Sequence, residues 1–411
     1  MEEHEVLIIG SGPAGMAAAV RLRESGIEDI LIIEREKQRG GILRQCVHDG
    51  FGLTRFGVSL AGPEYSQRFI DRIDELGIPY VADATVIDLS SDRVATVATR
   101  SGLRQYRGKA VILAMGCRER TRGALAIPGT RPSGIYNAGV AQSYVNLHNT
   151  MVGKEIVILG SGDIGLIMAR RLTLEGAHVK AVYEIQQYPS GLPRNIEQCL
   201  NDYNIPLYLG RSVIDIKGSE RIEGVTVADY DANMRPIPGT EEYVSCDTLV
   251  LSVGLIPENE LSLAAGVSLD RRTNGAEVDE FCQTTVPGIF SAGNVLHVHD
   301  LADFVSQEAE RTADAVSEYL GQGSLPESRI KVCASSAIGH VIPQRISGER
   351  DFHLSFRVWK PMGRCTVEIR QGETLIKKVP LMKALPTDMV HIEVPCESIV
   401  PGRDLEVTVN E

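Results

Sequence analysis

The chain contains the same pattern twice, 150 residues apart. Val6-Leu7-Ile8-Ile9-Gly10-Ser11-Gly12-Pro13-Ala14-Gly15 lies over Ile156-Val157-Ile158-Leu159-Gly160-Ser161-Gly162-Asp163-Ile164-Gly165 without a gap. The register then holds to residue 44: Ala19, Arg21 and Leu22 fall over Ala169, Arg171 and Leu172, Gly26 over Gly176, Glu34 over Glu184, Gly41 over Gly191 and Arg44 over Arg194. A self-similar stretch of this length means that one supersecondary unit is built twice, which restricts the fold more than any compositional figure.

Each copy opens on a short continuous apolar run, Val6 to Ile9 and Ile156 to Leu159. Such a run is too short for a helix and does not alternate, as expected of a parallel strand buried on both faces. The glycines end it. Good helix formers follow, Ala14 to Glu24 and Ile164 to Glu175, closed by Gly26 and Gly176 where a left-handed cap is needed. A second apolar run, Ile30 to Ile33 or Val179 to Val182, leads to an acidic residue at its end, Glu34 or Glu184. The sequence therefore predicts two βαβ units.

The glycine spacing gives these units a chemistry. In Gly10-Ser11-Gly12-Pro13-Ala14-Gly15 the first glycine makes the turn, the second admits a pyrophosphate against the backbone, and the third packs the helix on the strand. Gly160, Gly162 and Gly165, with Asp163 and Ile164 between, repeat the arrangement. The helix N-terminus then offers free N–H groups and partial positive charge to a diphosphate. Glu34 and Glu184 each stand nineteen residues past the third glycine, the place of a carboxylate that accepts hydrogen bonds from an adenosine ribose. A carboxylate repels a 2′-phosphate, and no arginine follows Glu184 closely, so the second site favours NAD over NADP. Two dinucleotides are implied.

Other function classes recede. With 54 acidic against 42 basic residues the net charge is −12, which disfavours phosphate backbones and anionic lipids, so no nucleic-acid partner is expected. The first residues, Met1 to Glu5, are acidic where a secretory signal is basic, and no transmembrane apolar run occurs, so a cytoplasmic location is expected. The eight cysteines form no C-x-x-C pair, which argues against a zinc knuckle or a locally ligated iron–sulfur cluster; no metal ligand is assigned.

Over residues 1–325 these features resemble the two-dinucleotide-domain flavoproteins of the pyridine nucleotide–disulfide oxidoreductase superfamily. Ala110 to Gly116 followed by Ile127-Pro128-Gly129 is similar to that superfamily's crossover into its NAD domain, with Met115 where threonine is usual. Leu249 to Gly254, then Pro257, resembles the return crossover, and Thr284 to Asn294 resembles the strand and turn that bind the FAD ribityl and pyrophosphate, with Asn294 replacing an aspartate. The resemblance implies FAD at the first repeat, because flavin motifs bracket the second one. It places Gly10, Gly12, Pro13, Ala14, Gly15, Glu34, Arg35, Gly41, Ile42, Leu43, Val86, Ala114, Gly116, Gly293, Asn294 and Val305 at FAD, the last on a helix from Asp303 to Leu320. Gly160, Gly162, Asp163, Ile164, Gly165, Glu184 and Gly254 fall at NAD.

The expected fold is α/β, with two Rossmann-like dinucleotide-binding domains: an FAD domain of residues 1–118 and 262–327 and an inserted NAD domain of residues 119–261. From about Ile330 short alternating runs appear, Phe352 to Val358, Thr366 to Ile369, Val390 to Val394 and Leu405 to Val409. They predict a C-terminal all-β sandwich over residues 328–411, read equally as a stabilising appendage or a docking surface.

The departure from the superfamily concerns thiols. Its disulfide reductases carry a C-x-x-x-x-C pair after the Gly-Gly turn, whereas this chain has Cys46 alone, followed by His48. The form Gly40-Gly41-Ile42-Leu43-Arg44 is more similar to electron-transfer flavoprotein subunits. With Met115 to Ala124 and Gly160 to Arg171 it resembles the NAD/FAD oxidoreductase that accompanies a type 2 anaerobic glycerol-3-phosphate dehydrogenase. That resemblance implies electron exchange with a partner dehydrogenase or Cys-rich electron-transfer subunit, in an oligomer or hetero-complex.

Hydride transfer between nicotinamide and flavin needs stacking and electrostatics more than acid–base residues. The candidate catalytic residues are Cys46, as a redox thiol or a small buried residue, and His48, as a proton relay or an ordinary hydrogen-bonded histidine. Cys117 reads as structural, His297, His299 and Asp300 as placed near the flavin rather than on a metal, and Arg118, Arg120 and Arg122 as an anion site or a solvated loop. Three functions compete: an electron-transfer flavoenzyme subunit, a self-contained NADH oxidase or peroxidase cycling Cys46 through a sulfenate, and a non-catalytic scaffold.

Overall fold

A computed structural model describes all 411 residues and divides into two compact units, residues 1–117 with 257–411 and residues 118–256. In the first, the strand Glu2–Ile9 pairs in parallel with Ile30–Ile33 on one side and with Gly102–Leu113 on the other. Tyr80–Val81 adds beside Ile30–Ile33, and Ile289–Ser291 pairs in parallel with the end of Gly102–Leu113. The start of that long strand pairs instead with the antiparallel Val94–Thr99, itself paired with Thr85–Leu89, completing a seven-stranded sheet.

Continuous apolar runs are needed here because both faces are covered. Val6, Ile8, Ile30, Ile32 and Ile112 point into a core shared with the helices Pro13–Glu24, Gly62–Glu75 and Ala302–Gln322. Leu7, Ile9, Leu31, Ile33 and Leu113, one residue out of phase, fill the core on the opposite face. Alanines 17–19 are fully buried, and their small side chains let the first helix lie against the long one.

The second unit repeats the plan. Leu207–Leu209, His178–Glu184, Glu155–Leu159, Thr248–Leu251 and Ile135–Asn137 form an all-parallel sheet in that order. The helix Asp163–Leu174 follows the glycine loop, and an antiparallel sheet of Arg211–Gly218, Ile222–Asp229 and Glu242–Ser245 lies beyond. No helix of the chain is long and apolar enough to cross a membrane.

The C-terminal strands make two sheets, of five and three strands, over one core that includes Phe352, Leu354, Phe356, Val367 and Val407. Phe352–Val358 and Val390–Val394 fall where the alternation predicts them, and Cys365–Gln371 buries every second residue. Ile330–Ala334, Ile338–Ile342 and Thr374–Leu381 are strands beyond the four runs named from the sequence. This piece is not a separate body: Ile342 sits in the core of the first sheet, and the Gln344 amide N–H donates to the Val278 carbonyl at 3.1 Å. Asp300 ties the two further by accepting from the Met389 N–H at 2.6 Å and pairing with Arg357.

Candidate functional site

The first glycine loop is built by close backbone approach. Gly10 has a φ of +105°, and a Cβ there would stand 2.5 Å from the Ala114 carbonyl oxygen; one on Gly15 would stand 1.9 Å from the Gly10 oxygen. Gly12 faces open space. Opposite it, a Cβ on Gly41 would meet the Gly12 Cα at 2.9 Å, and one on Gly293 would meet the Ala14 Cβ at 2.9 Å and Val305 Cγ1 at 3.2 Å. Gly10, Gly12, Ala14, Gly15, Gly41, Ala114, Gly293 and Val305, drawn from five stretches of sequence, thus line one cradle. Its open floor at Gly12 and the N-terminus of Pro13–Glu24 suit the pyrophosphate of FAD.

Glu34 has a structural task within the loop. Its Oε2 accepts from the Ser11 N–H at 2.8 Å and the Ser11 hydroxyl at 2.7 Å, and Oε1 accepts from the Glu36 N–H at 2.7 Å. The carboxylate therefore clasps the glycine loop to the end of the second strand, leaving one lone-pair direction on Oε1 for a ligand hydroxyl. Arg35 is exposed beside it, Leu43 is buried, Ile42 is exposed, and Val86 is half-buried on the edge of the second core.

The second cradle carries the same clasp. Glu184 Oε2 accepts from the Ser161 N–H at 3.0 Å and its hydroxyl at 2.6 Å, and Oε1 from the Gln186 N–H at 3.0 Å. Ser190 adds its hydroxyl to Glu184 at 2.9 Å. A Cβ on Gly160 would lie 2.0 Å from the Ser252 oxygen, and one on Gly165 2.7 Å from the Ser252 Cβ, whereas Gly162 has nothing nearer than 3.4 Å. Asp163, an anion at the helix start, is turned aside to the Leu192 N–H at 2.8 Å and the Asn195 amide at 2.6 Å, which leaves room for a pyrophosphate. The residues of both cradles fit dinucleotides. Ser11, Ser161 and Ser190 hold the carboxylates of the two cradles, a part that the motif spacing does not pick out, although the identity of Ser11 and Ser161 in the repeat is a visible signal.

Cys46 follows the turn of the 3₁₀ segment Gly41–Gln45 and donates from Sγ to the Ile42 carbonyl at 3.4 Å. Burial pushes its thiol up to about 12, so it is protonated at neutral pH. His48 is half-buried, with Nδ1 at 3.0 Å from the Asp49 carbonyl and its ring on Phe51. The loop beyond is pinned by Asp303, in the first turn of the long helix, which accepts from the Gly52 N–H at 3.0 Å and the Arg55 N–H at 2.7 Å.

The turn at Gly293 and Asn294 is held by Glu308, which no sequence motif marks. Its Oε1 accepts from the Gly293 N–H at 2.8 Å, while Oε2 lies 2.8 Å from His297 Nε2 and 3.3 Å from His299 Nε2. Asn294 accepts from the His299 N–H at 3.1 Å and directs its amide nitrogen toward Cys117 Sγ at 3.7 Å. Asp300, the third member of that group, is turned away to Arg357 and Met389. Arg122 is committed elsewhere: its guanidinium donates to the carbonyls of Ile127, Pro128, Gly129 and Thr130, so it closes a loop. Arg118 and Arg120 are exposed, with Arg120 beside Gly254.

Two glycine-loop cradles, each at the ends of parallel strands, define a dinucleotide-binding class. Residues 4–318 match the pyridine nucleotide-disulphide oxidoreductase model, and the chain belongs to that family of FAD- and NAD(P)-dependent enzymes. It is 26% identical over 319 residues to hydrogen cyanide synthase subunit HcnB of Pseudomonas protegens, an alignment that takes in 70% of this chain and 65%, just under two thirds, of that subunit. It is 26% identical over 357 residues to the glutamate synthase [NADPH] small chain of Mycobacterium tuberculosis, covering 78% of this chain and 68% of the relative. The fold matches the crystal structure of T. acidophilum thioredoxin reductase with a TM-score of 0.63 at 23% identity, over 79% of this chain and 100% of that one.

Proposed function

We propose that the chain is the NAD(H)-linked flavin subunit of a multi-subunit dehydrogenase, exchanging hydride with NAD(H) and electrons with a partner redox subunit. A glycerol-3-phosphate dehydrogenase-type complex is the particular assembly suggested by Gly41 to Leu53 and Met115 to Ala124. The observation that carries the reading is Cys46. Disulfide chemistry of this superfamily's kind runs through a thiol pair, and one-cysteine chemistry needs a thiolate; no second cysteine follows Cys46 at C-x-x-x-x-C spacing, and burial keeps Cys46 a neutral thiol. Electrons reaching this chain therefore need another exit. Two relatives whose names describe a subunit or a small chain support an exit through a partner protein.

FAD, when bound, supplies the hydride acceptor. The chain's own residues do the rest. The N–H groups at the start of Pro13–Glu24 and Asp163–Leu174 would meet the pyrophosphates, and Glu34 and Glu184, which clasp the loops, would offer a remaining lone pair to a ribose. Glu308 fixes the Gly293 turn. The carboxylate of Glu184, with no cationic neighbour in Ile185 to Tyr188, favours NAD over its 2′-phosphorylated form.

Anaerobic titration of the purified flavoprotein tests this. NADH is expected to bleach the flavin at lower concentration than NADPH; no bleaching by either would leave only a scaffold. Cys46→Ser is expected to keep NADH turnover with a dye acceptor within about threefold. A loss on the order of a hundredfold would instead assign the chemistry to Cys46, as in an oxidase or peroxidase.

A further inference from the structure

Of the chain's nine histidines, His297, His299, His340 and His391 gather behind the Gly293 turn, the first two on one carboxylate, that of Glu308. The His297 and His299 rings lie 4.1 Å apart between centroids, and His340 is 6.1 Å from His297. The His391 ring lies on Phe304, in the first turn of the helix that carries Glu308, with 4.7 Å between centroids. The side chains of His297, His299 and Glu308 are 1%, 2% and 7% exposed, so water does not screen them. His297 Nδ1 and His340 Nε2 are buried without hydrogen-bond partners.

We propose that His297 Nε2, His299 Nε2 and Glu308 Oε2 form a binding site for one divalent transition-metal ion of the zinc type. The three donor atoms lie within 4.8 Å of one another. Zinc takes imidazole and carboxylate donors at about 2.0–2.2 Å, which sets neighbouring donors of a tetrahedron about 3.3 Å apart. His299 and Glu308 already stand at 3.3 Å, and the 2.8 Å between His297 and Glu308 needs a shift of half an ångström.

The hydrogen bonding of His299 suits a metal ligand. Its Nδ1 faces two acceptors, the His297 carbonyl at 3.0 Å and Asn294 Oδ1 at 3.3 Å, and the backbone N–H of His299 fixes which end of the Asn294 amide is oxygen. Nδ1 therefore carries a proton, and Nε2 is the ring nitrogen turned to the carboxylate, 3.3 Å from Glu308 Oε2. An imidazole whose other nitrogen is bonded to a carbonyl, beside a carboxylate fixed by a backbone N–H, is the arrangement that orients metal ligands. The neighbouring Arg357 is neutralised by Asp300, and His340 Nε2 is a further donor available from the C-terminal strands. Two nitrogens and one oxygen suit zinc, cobalt or nickel rather than calcium or magnesium.

Tag-free flavoprotein would be incubated with zinc or cobalt(II), gel-filtered, and assayed by elemental analysis, chelator competition and cobalt ligand-field bands to the red of the flavin. The expected result is one ion per chain, with binding weakened at least about tenfold in His299→Gln and Glu308→Gln. His353→Gln, on an exposed position of the C-terminal piece, should bind as the parent does. Failure of the parent protein to retain a stoichiometric ion, or binding that survives both substitutions, overturns the site and leaves the cluster as a hydrogen-bonded brace for the Gly293 turn. Flavin reduction by NADH is read separately and bears on neither outcome.

Discussion

Ser161 shows how one small side chain serves the second cradle. Its hydroxyl donates to Glu184 at 2.6 Å and accepts from the Ser190 N–H at 2.8 Å, so it joins the glycine loop, the acidic strand end and the covering loop. Ser161→Ala removes a hydrogen bond to a charged group, about 1.5–3 kcal/mol, while the backbone N–H bond to Glu184 remains. NADH affinity, measured by flavin bleaching, is expected to fall at least about tenfold with flavin content unchanged. Ser11 holds the same place in the first repeat, and there the loss belongs to FAD. This pair is legible as an identity in the aligned repeat, but its role requires the strand ends to be brought beside the loops.

At the scale of elements, the third glycine decides how closely each helix approaches its sheet. In the second unit a side chain on Gly165 would press on the Ser252 Cβ at 2.7 Å and the Gly160 oxygen at 2.8 Å. Gly165→Val should therefore push the start of Asp163–Leu174 off the strand ends and misplace the N–H groups that face the pyrophosphate. The expected phenotype is a flavoprotein that dithionite still reduces and NADH does not. The sheet elements themselves are readable where burial on both faces leaves an unbroken apolar run. Thr374–Leu381 is not, because it lies at a sheet edge with little burial and no clean alternation. Ile330–Ala334 owes its place to parallel pairing with Leu405–Asn410, a contact between opposite ends of the C-terminal piece.

At the scale of the molecule, the C-terminal strands join the rest of their unit beside a buried carboxyl, that of Asp279. Burial, with Glu280 adding to it, pushes the Asp279 carboxyl up to about 7 while it accepts from the Phe281 and Gln283 N–H groups, both at 3.0 Å. Glu280 beside it accepts from the Ser347 N–H at 2.8 Å. An unfolded aspartate ionises near about 3.9, so between about pH 4 and 7 the unfolded chain has released a proton that the folded chain keeps. Folding then takes up a proton, and this group's contribution to stability falls as pH rises through that window and levels off above it. Asp279→Asn keeps the acceptor and removes the titration. Its stability relative to the parent, measured by denaturant unfolding, should therefore rise from pH 5 to pH 7 by on the order of 1 kcal/mol for each pH step of one, and then hold steady to pH 8. A constant difference across that range would place the buried carboxyl at its ordinary value.

The sequence by itself determined the two glycine-loop units, their strands and helices and the carboxylates that end them. These depend on neighbours within about forty residues, where periodicity, turn residues and caps act directly. Tertiary structure alone decided that Gly41 and Gly293 meet the first loop, that burial keeps Cys46 protonated, and that Glu308 collects Gly293, His297 and His299. Those outcomes turn on which distant segments exclude water from a group and which dipoles then face it. Residue identity does not encode that exclusion until the chain has closed around it.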